Sequence, residues 1–125
     1  MEKIGQLMAR VLLAQIFLLS GIFKIGGYEG TQAYMEAMGV PGILLPLVIV
    51  VEIVGGLALV AGWQTKWISL ALAGFTLVAA LIFHNNLADQ MQQIMFMKNV
   101  AIAGGLLLLA IHGAGSYSLD SRRIK

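Results

Sequence analysis

A carboxylate in the middle of a long apolar segment is the feature that most restricts how this chain can fold. The segment runs from Ile43 to Gly62, and Glu52 lies near its midpoint. Twenty helical residues span about 30 Å, which is the thickness of the hydrocarbon core of a bilayer. An acidic side chain at that depth costs about 3 kcal/mol on insertion scales. Glu52 is therefore expected to face the protein interior, where it is protonated, hydrogen-bonded or paired with a cation.

The composition is that of a membrane protein. Of the 125 residues, 59% are hydrophobic and only 11% are charged, whereas about 25% of the residues in a soluble domain are charged. The net charge of +2 is small and the basic residues form no stripe, which argues against nucleic acid as a partner. Because the chain has no cysteine, disulfides, thiolate metal sites and dithiol redox chemistry are excluded on it.

Four apolar segments of sufficient length follow one another along the chain. The predicted spans are at about residues 7–26, 43–62, 67–84 and 94–112. Trp63 and Trp67 flank the connection between the second and third spans, as aromatic residues do at a membrane–water boundary. The segment 28–42 is predicted to be a loop or a short interfacial helix. The sequence thus predicts an all-α fold, an integral membrane four-helix bundle that forms a single transmembrane domain.

The distribution of basic residues predicts that both termini are cytoplasmic. An even number of spans places the two ends and the loop at Lys66 on the same side. That side carries six basic residues and the opposite side carries two, and cytoplasmic sides are the ones that collect Lys and Arg. The six are Lys3, Arg10, Lys66, Arg122, Arg123 and Lys125, and the two are Lys24 and Lys98.

Polar side chains within or at the ends of the spans are the candidate site residues. Glu52 is the candidate catalytic residue, as an acid or proton-binding group. The candidate ligand-binding residues are Lys98, Asn99, His84, Lys24 and Arg10. In a small bundle these groups could converge into one internal polar track.

Each candidate also has a structural interpretation. Glu52 could belong to an ion pair that only locks the helices together, and Lys98 could be its partner or could bind an anionic or carbonyl group. Lys24 is expected to be an interfacial anchor, and Arg10 is expected to have a structural role, pairing or holding a headgroup. Arg10 and Lys24 share one stripe of the first helix, with Phe17 between them at seven-residue spacing.

The histidines argue against a metal site. The chain has two, His84 and His112, and they are predicted to lie on opposite sides of the membrane. A haem or copper site built from both is therefore not expected, and no metal or covalently bound cofactor is predicted.

Several short motifs occur in an order and spacing that together are specific. From Arg10 to Asp120 the chain resembles the DoxX family of small four-helix membrane proteins. The matching elements are Ser20 to Ile25, Tyr34-Met35, Gly39-Val40-Pro41, Glu52 with Gly55-Gly56, Gly62 with Thr65-Lys66, Phe83-His84, Phe96 with Lys98-Asn99, Ile102 with Gly104, and Gly115 with Ser118-Leu119-Asp120. The resemblance implies a bacterial inner-membrane protein. Some relatives are subunits or partners of membrane oxidoreductase systems, including quinone-reducing sulfur oxidation and oxidative-stress complexes.

The function predicted from these observations is a quinone- or small-molecule-binding accessory subunit of a membrane oxidoreductase system. Nothing on the chain carries electrons, so an autonomous enzyme is not expected and a redox partner protein would supply them. Two alternatives stay open. One is a membrane scaffold or assembly protein with a purely structural ion pair, and the other is a small proton-coupled transporter, which would require a homo-oligomer.

Overall fold

The computed structural model describes residues 2–123, and it is built from helices. The helices are α1 (Glu2–Gly26), α2 (Tyr28–Ala37), α3 (Leu45–Ala61), α4 (Thr65–Phe83), α5 (Gln90–His112) and α6 (Leu119–Arg123), and a 3-10 turn (Gly42–Leu44) leads into α3. Four of these segments are long and apolar enough to cross a membrane: α1, α3 with its preceding turn, α4 and α5. The prediction of an all-α fold with four membrane-spanning helices is confirmed.

Local sequence explains where the helices begin and end. Segment 28–42, predicted as a loop or an interfacial helix, contains the helix α2. Helix α5 begins at Gln90, earlier than the predicted start of the fourth span, because the Asp89 side chain caps it by accepting a hydrogen bond from the Met91 amide at 3.2 Å. Helix α3 ends at Ala61, and the left-handed backbone of the following Gly62 (φ 71°) terminates the helix without the steric cost that a side chain would add.

The four long helices pack as two pairs. Helix α1 lies along α3 and α4 lies along α5, and the two pairs touch each other less extensively. Two glycines set the close approach within the first pair. A methyl group on Gly21 would lie 2.6 Å from Cγ1 of Ile53, and one on Gly56 would lie 2.7 Å from Cγ of Leu18. Glycine at these positions therefore lets the backbones of α1 and α3 pack together, as small residues do between membrane helices.

Apolar packing joins the pairs in the half of the bundle nearer the termini. There a buried cluster includes Leu59 of α3, Leu72 of α4 and Leu106 of α5, each at most 1% exposed. In the other half, Met35 of α2 packs on Leu45 and Ile49 of α3 in a second, smaller cluster. The space between the pairs on that side is not filled by side chains, and it forms the cavity described below.

The segment after α5 folds back on the end of the bundle and holds the turn between α3 and α4. The Asp120 carboxylate accepts hydrogen bonds from the amides of Gln64 (2.7 Å) and Thr65 (2.8 Å), and the Asp120 amide donates to the Gly62 carbonyl (2.9 Å). Gln64 lacks a side-chain cap of its own. Asp120 therefore supplies, from a distant part of the chain, the acidic cap that the N-terminus of α4 needs.

Replacing Asp120 with alanine is expected to lower the free energy of unfolding by about 2 kcal/mol, since two charge-assisted bonds to amides are lost. The measurement is SDS-induced unfolding in mixed micelles, followed by circular dichroism. Asp89→Ala is the matched control, because Asp89 also caps a helix but is exposed and makes one bond of 3.2 Å. Its expected loss is about 0.5 kcal/mol. Equal losses in the two variants would contradict this role for Asp120.

Candidate functional site

A cavity of about 490 Å³ lies between the two helix pairs, beneath α2. Five of the six residues predicted for the site line it: Lys24, Glu52, His84, Lys98 and Asn99. Most of the remaining lining side chains are apolar. The structure thus brings together, around one space, polar groups that are far apart in the sequence.

An ion pair between Lys24 and Glu52 lies in the wall of this cavity. The Lys24 Nζ atom is 2.9 Å from Oε1 and 3.1 Å from Oε2 of Glu52. Glu52 is 5% exposed, so it faces the interior as expected, whereas the Lys24 side chain retains 27% of its exposure. The pair joins α1 to α3.

The partner of Glu52 differs from the expectation, since Lys24 was predicted to be an interfacial anchor and Lys98 was considered for the pair. The physical reason is the pairing of the helices. Gly21 packs so closely on α3 that a methyl group there would lie 3.5 Å from Cβ of Glu52. Lys24 is on the same face of α1, one turn further along, and it therefore meets the carboxylate.

The opposite wall is formed by α4 and α5. Asn99 donates a hydrogen bond from Nδ2 to the Thr76 carbonyl at 3.2 Å, and the Thr76 hydroxyl donates to the Leu72 carbonyl at 2.7 Å. His84 follows the last residue of α4. Burial, together with the nearby positive charge of Lys98, lowers the pKa of His84. At neutral pH this wall therefore presents a neutral imidazole, an amide and one ammonium group.

Helix α2 covers the end of the cavity. The ring of Tyr34 stacks on that of Phe83 with centroids 5.5 Å apart, and the Tyr34 hydroxyl donates to the Phe83 carbonyl at 3.5 Å. Both residues line the cavity, as do Thr31, Ser20 and Thr76. Sequence reasoning did not select these as site residues. The available signal was weak, namely the amphipathic turn around Tyr34 in a segment too short to be a span.

Some residues of the cavity wall are also exposed on the outside of the bundle. Leu47 of α3 and Val78 of α4 line the cavity and are nonetheless 59% and 55% exposed. Apolar residues of the cavity wall are thus exposed at a surface that would face acyl chains in a bilayer.

Arg10 is not part of this site. It lies in the other half of the bundle, where it is completely buried and donates from Nη1 to the carbonyls of Leu59 (3.1 Å) and Val60 (3.0 Å) and from Nη2 to that of Tyr117. The structure therefore separates Arg10 from the other candidate ligand-binding residues. Its observed contacts fit the structural role that was also considered for it.

The cavity as a whole has the lining of a site for an organic ligand. Among residues 2–123 no three histidine, aspartate or glutamate side chains lie together as ligands for a metal ion. The polar groups are instead few and spaced around an apolar volume, which is the usual character of a small-molecule site.

Comparison with known proteins adds the family. The family model described as DoxX matches residues 5–85. The chain belongs to the DoxX family. No solved structure matches it.

Relatives of this DoxX protein cover almost its whole length. It is 54% identical to the inner membrane protein YqjF of Escherichia coli (strain K12) over 120 residues, which are 96% of this chain and 92% of YqjF. It is 37% identical to the inner membrane protein YphA of the same organism, over 93% of this chain and 88% of YphA. It is 31% identical to the Bacillus subtilis (strain 168) protein named "Putative oxidoreductase CatD", over 88% of this chain and 77% of that protein. This DoxX protein is accordingly a multi-pass protein of the bacterial inner membrane.

Proposed function

We propose that this DoxX protein is an accessory subunit of a membrane oxidoreductase system and binds a quinone or a similar small ring compound. The observation that carries the proposal is the cavity between the helix pairs, which combines an apolar wall with the Lys24–Glu52 ion pair. Its volume of about 490 Å³ is within the range of about 300–1,000 Å³ that small-molecule sites occupy.

The polar groups of the wall suit the two carbonyl oxygens of a quinone. Lys98 offers an ammonium group, and His84 and Asn99 offer N–H donors. Asn99 uses Nδ2 to hold the Thr76 carbonyl, and this amide nitrogen carries a second hydrogen that can point at a ligand. On the opposite wall, Glu52 is the acid that we assign to proton uptake or release. The aromatic rings of Phe17, Phe75, Phe83 and Tyr34 supply flat apolar surface for the ring.

A partner protein would supply the electrons, because no side chain of this chain is a redox carrier. The relative from Bacillus subtilis is named an oxidoreductase, and this name supports the assignment. With both termini in the cytoplasm, as the basic residues indicate, the cavity lies in the periplasmic half of the bilayer. We expect the ligand to enter from the lipid, past the exposed wall residues Leu47 and Val78.

A scaffold is the second candidate function. It is favoured by the geometry of the ion pair, in which both oxygens of Glu52 are occupied by the Lys24 ammonium. A pair satisfied in this way can fix the arrangement of α1 and α3 without any ligand.

Filling the cavity is expected to abolish quinone binding. Ala79 lines the cavity on α4, and Ala79→Phe places a ring in the volume that the ligand would occupy. Ala71→Phe is the matched control, because Ala71 is on the same helix, is exposed and lies outside the cavity wall. Isothermal titration of protein in phosphatidylcholine nanodiscs with menadione measures the affinity, and the cysteine-free chain offers no thiol for menadione to alkylate. We expect Ala79→Phe to weaken binding at least about tenfold and Ala71→Phe to leave it unchanged.

Equal affinities in the two variants would contradict binding in the cavity. No quinone binding at all, by intact protein that is folded by circular dichroism, would leave the scaffold as the better account.

A further inference from the structure

We propose that the cavity binds its ligand as an anion, a small ring compound with one ionised oxygen, and that Lys98 is the counter-ion. Hydroxyquinones and phenolates belong to this class. The inference rests on the proposed function, since it specifies the charge of the molecule that the cavity takes.

The charges in the wall do not balance. Four ionisable residues besides Tyr34 line the cavity: Lys24, Glu52, His84 and Lys98. Glu52 is the one carboxylate among the lining residues, and both of its oxygens contact the Lys24 ammonium. Because His84 is neutral at neutral pH, Lys98 leaves the wall with one excess positive charge.

Lys98 has no ion pair among the residues that the structure describes. Helix α5 has no acidic residue, and its N-cap Asp89 lies about 13.5 Å from Lys98 along the helix axis and accepts a hydrogen bond from the Met91 amide. The acidic residues of α2, Glu29 and Glu36, are exposed and do not line the cavity. Residues 2–123 therefore bring a cation to the cavity and supply no acidic partner for it.

Lys98 lies at a depth similar to that of the Lys24–Glu52 ion pair. It is the ninth residue of α5, so it lies about 12 Å from the start of the helix. Glu52 is the eighth residue of α3 and lies at a similar depth from the same end of the bundle. The Lys98 side chain is exposed as well as lining the cavity, so its ammonium is accessible to a ligand, and an anionic oxygen of the ligand would neutralise it.

The aromatic side chains that line the same cavity favour a ring as the remainder of the ligand. The aromatic part of the wall would contact a flat, apolar ring, and the Lys98 ammonium would contact one charged oxygen on that ring. A lipid headgroup also offers an anionic oxygen, and the experiment separates these two sources.

Two naphthoquinones of nearly equal shape test whether the cavity prefers a negatively charged ligand. Lawsone carries a hydroxyl group that is ionised at neutral pH, whereas menadione carries a methyl group in its place and is neutral. Both are titrated into the protein in phosphatidylcholine nanodiscs at neutral pH. Wild type, Lys98→Met, Lys98→Arg and Ala79→Phe are compared. Lys66→Met is the matched control, because Lys66 is the second residue of α4, its ammonium lies over the Trp67 ring, and it does not line the cavity.

Wild-type protein is expected to bind lawsone about tenfold more tightly than menadione, because an added charge-assisted contact has about that effect. Lys98→Met should remove the preference, Lys98→Arg should restore most of it, and Lys66→Met should not change it. This pattern supports the inference.

Three other outcomes would overturn it. If lawsone and menadione bind equally and Ala79→Phe weakens both, the cavity is a quinone site but does not select an anion. If neither compound binds, or Ala79→Phe weakens neither, the proposed function fails as well. If phosphatidylglycerol in the nanodiscs abolishes lawsone binding, and native mass spectrometry shows that wild type but not Lys98→Met retains that lipid, the anion at Lys98 is a headgroup.

Discussion

Replacing Arg10 with methionine is expected to unfold most of the protein under conditions in which the wild type is folded. The Arg10 side chain is completely buried and serves three backbone carbonyls, two of them in the last turn of α3. Methionine keeps much of the volume but removes the guanidinium donor from all three carbonyls, and of these Leu59 retains a bond from the Gly62 amide at 3.2 Å. Because each hydrogen bond from a charged group contributes about 1.5–3 kcal/mol, we expect a loss of about 4 kcal/mol, a large part of the stability of a small domain.

The effect should be large because Arg10 acts together with Asp120. The Arg10 guanidinium lies at the C-terminal end of α3, where the last carbonyls have no partner within the helix. The Asp120 carboxylate lies at the N-terminal end of α4, where the first amides have no partner within the helix. The two side chains thus hold the turn around Gly62 from both sides. A methyl group on Gly62 would collide with Arg10 Nη1 and with Ser118, so the turn leaves no spare room.

SDS titration in mixed micelles measures the free energy of unfolding and tests this prediction. Lys3→Met is the matched control, since it also removes one cation from α1 but at an exposed position, and it should change stability by less than about 0.5 kcal/mol. Arg10→Lys should fall between wild type and Arg10→Met, because one ammonium group cannot reach all three carbonyls. An unfolding midpoint for Arg10→Met equal to that of Lys3→Met would contradict the assigned role.

The sequence predicted the fold because the constraint from the bilayer is local. Each span could be recognised from its own apolar length, and the cost of a charge at mid-depth was sufficient to turn Glu52 inward. The order of the four spans was sufficient to predict that Lys98, Asn99 and His84 lie at the same end of the bundle.

The choice of partners could not be predicted, because it depends on which helices pack together. Glu52 contacts Lys24 because α3 lies along α1, and spacing within one helix does not contain that information. The acceptors of Arg10 are backbone carbonyls, which have no signature in the sequence. One of them belongs to Tyr117, in the segment after α5, and it meets Arg10 because the chain folds back on the bundle.

The Lys24–Glu52 pair should respond unequally to the loss of either partner. Lys24→Met leaves Glu52 buried at 5% exposure with no cation, and breaking a buried pair in this way is expected to cost about 3 kcal/mol. Glu52→Gln leaves Lys24, which is two residues from the end of α1 and whose side chain is 27% exposed. Its ammonium can turn toward the interface, so the expected loss is about 1 kcal/mol.

Removing both charges separates the structural from the functional interpretation. The double variant Lys24→Met/Glu52→Gln should regain most of the stability lost by Lys24→Met, to within about 1 kcal/mol of wild type, because no unpaired charge remains. It should nonetheless bind menadione about tenfold more weakly, since the pair forms part of the cavity wall. The variant Lys66→Met/Glu36→Gln, which removes one charge of each sign outside the cavity, is the matched control.

These two measurements distinguish the candidate functions. If the double variant is stable and binds menadione as wild type does, the pair only holds α1 against α3, and the scaffold becomes the better account. If it is no more stable than Lys24→Met, the cost of that single substitution is lost side-chain packing instead of an unpaired carboxylate. If the double variant is stable but binds menadione more weakly, the buried charges contribute to ligand binding. The bundle would then be intact, and only the cavity wall would have changed.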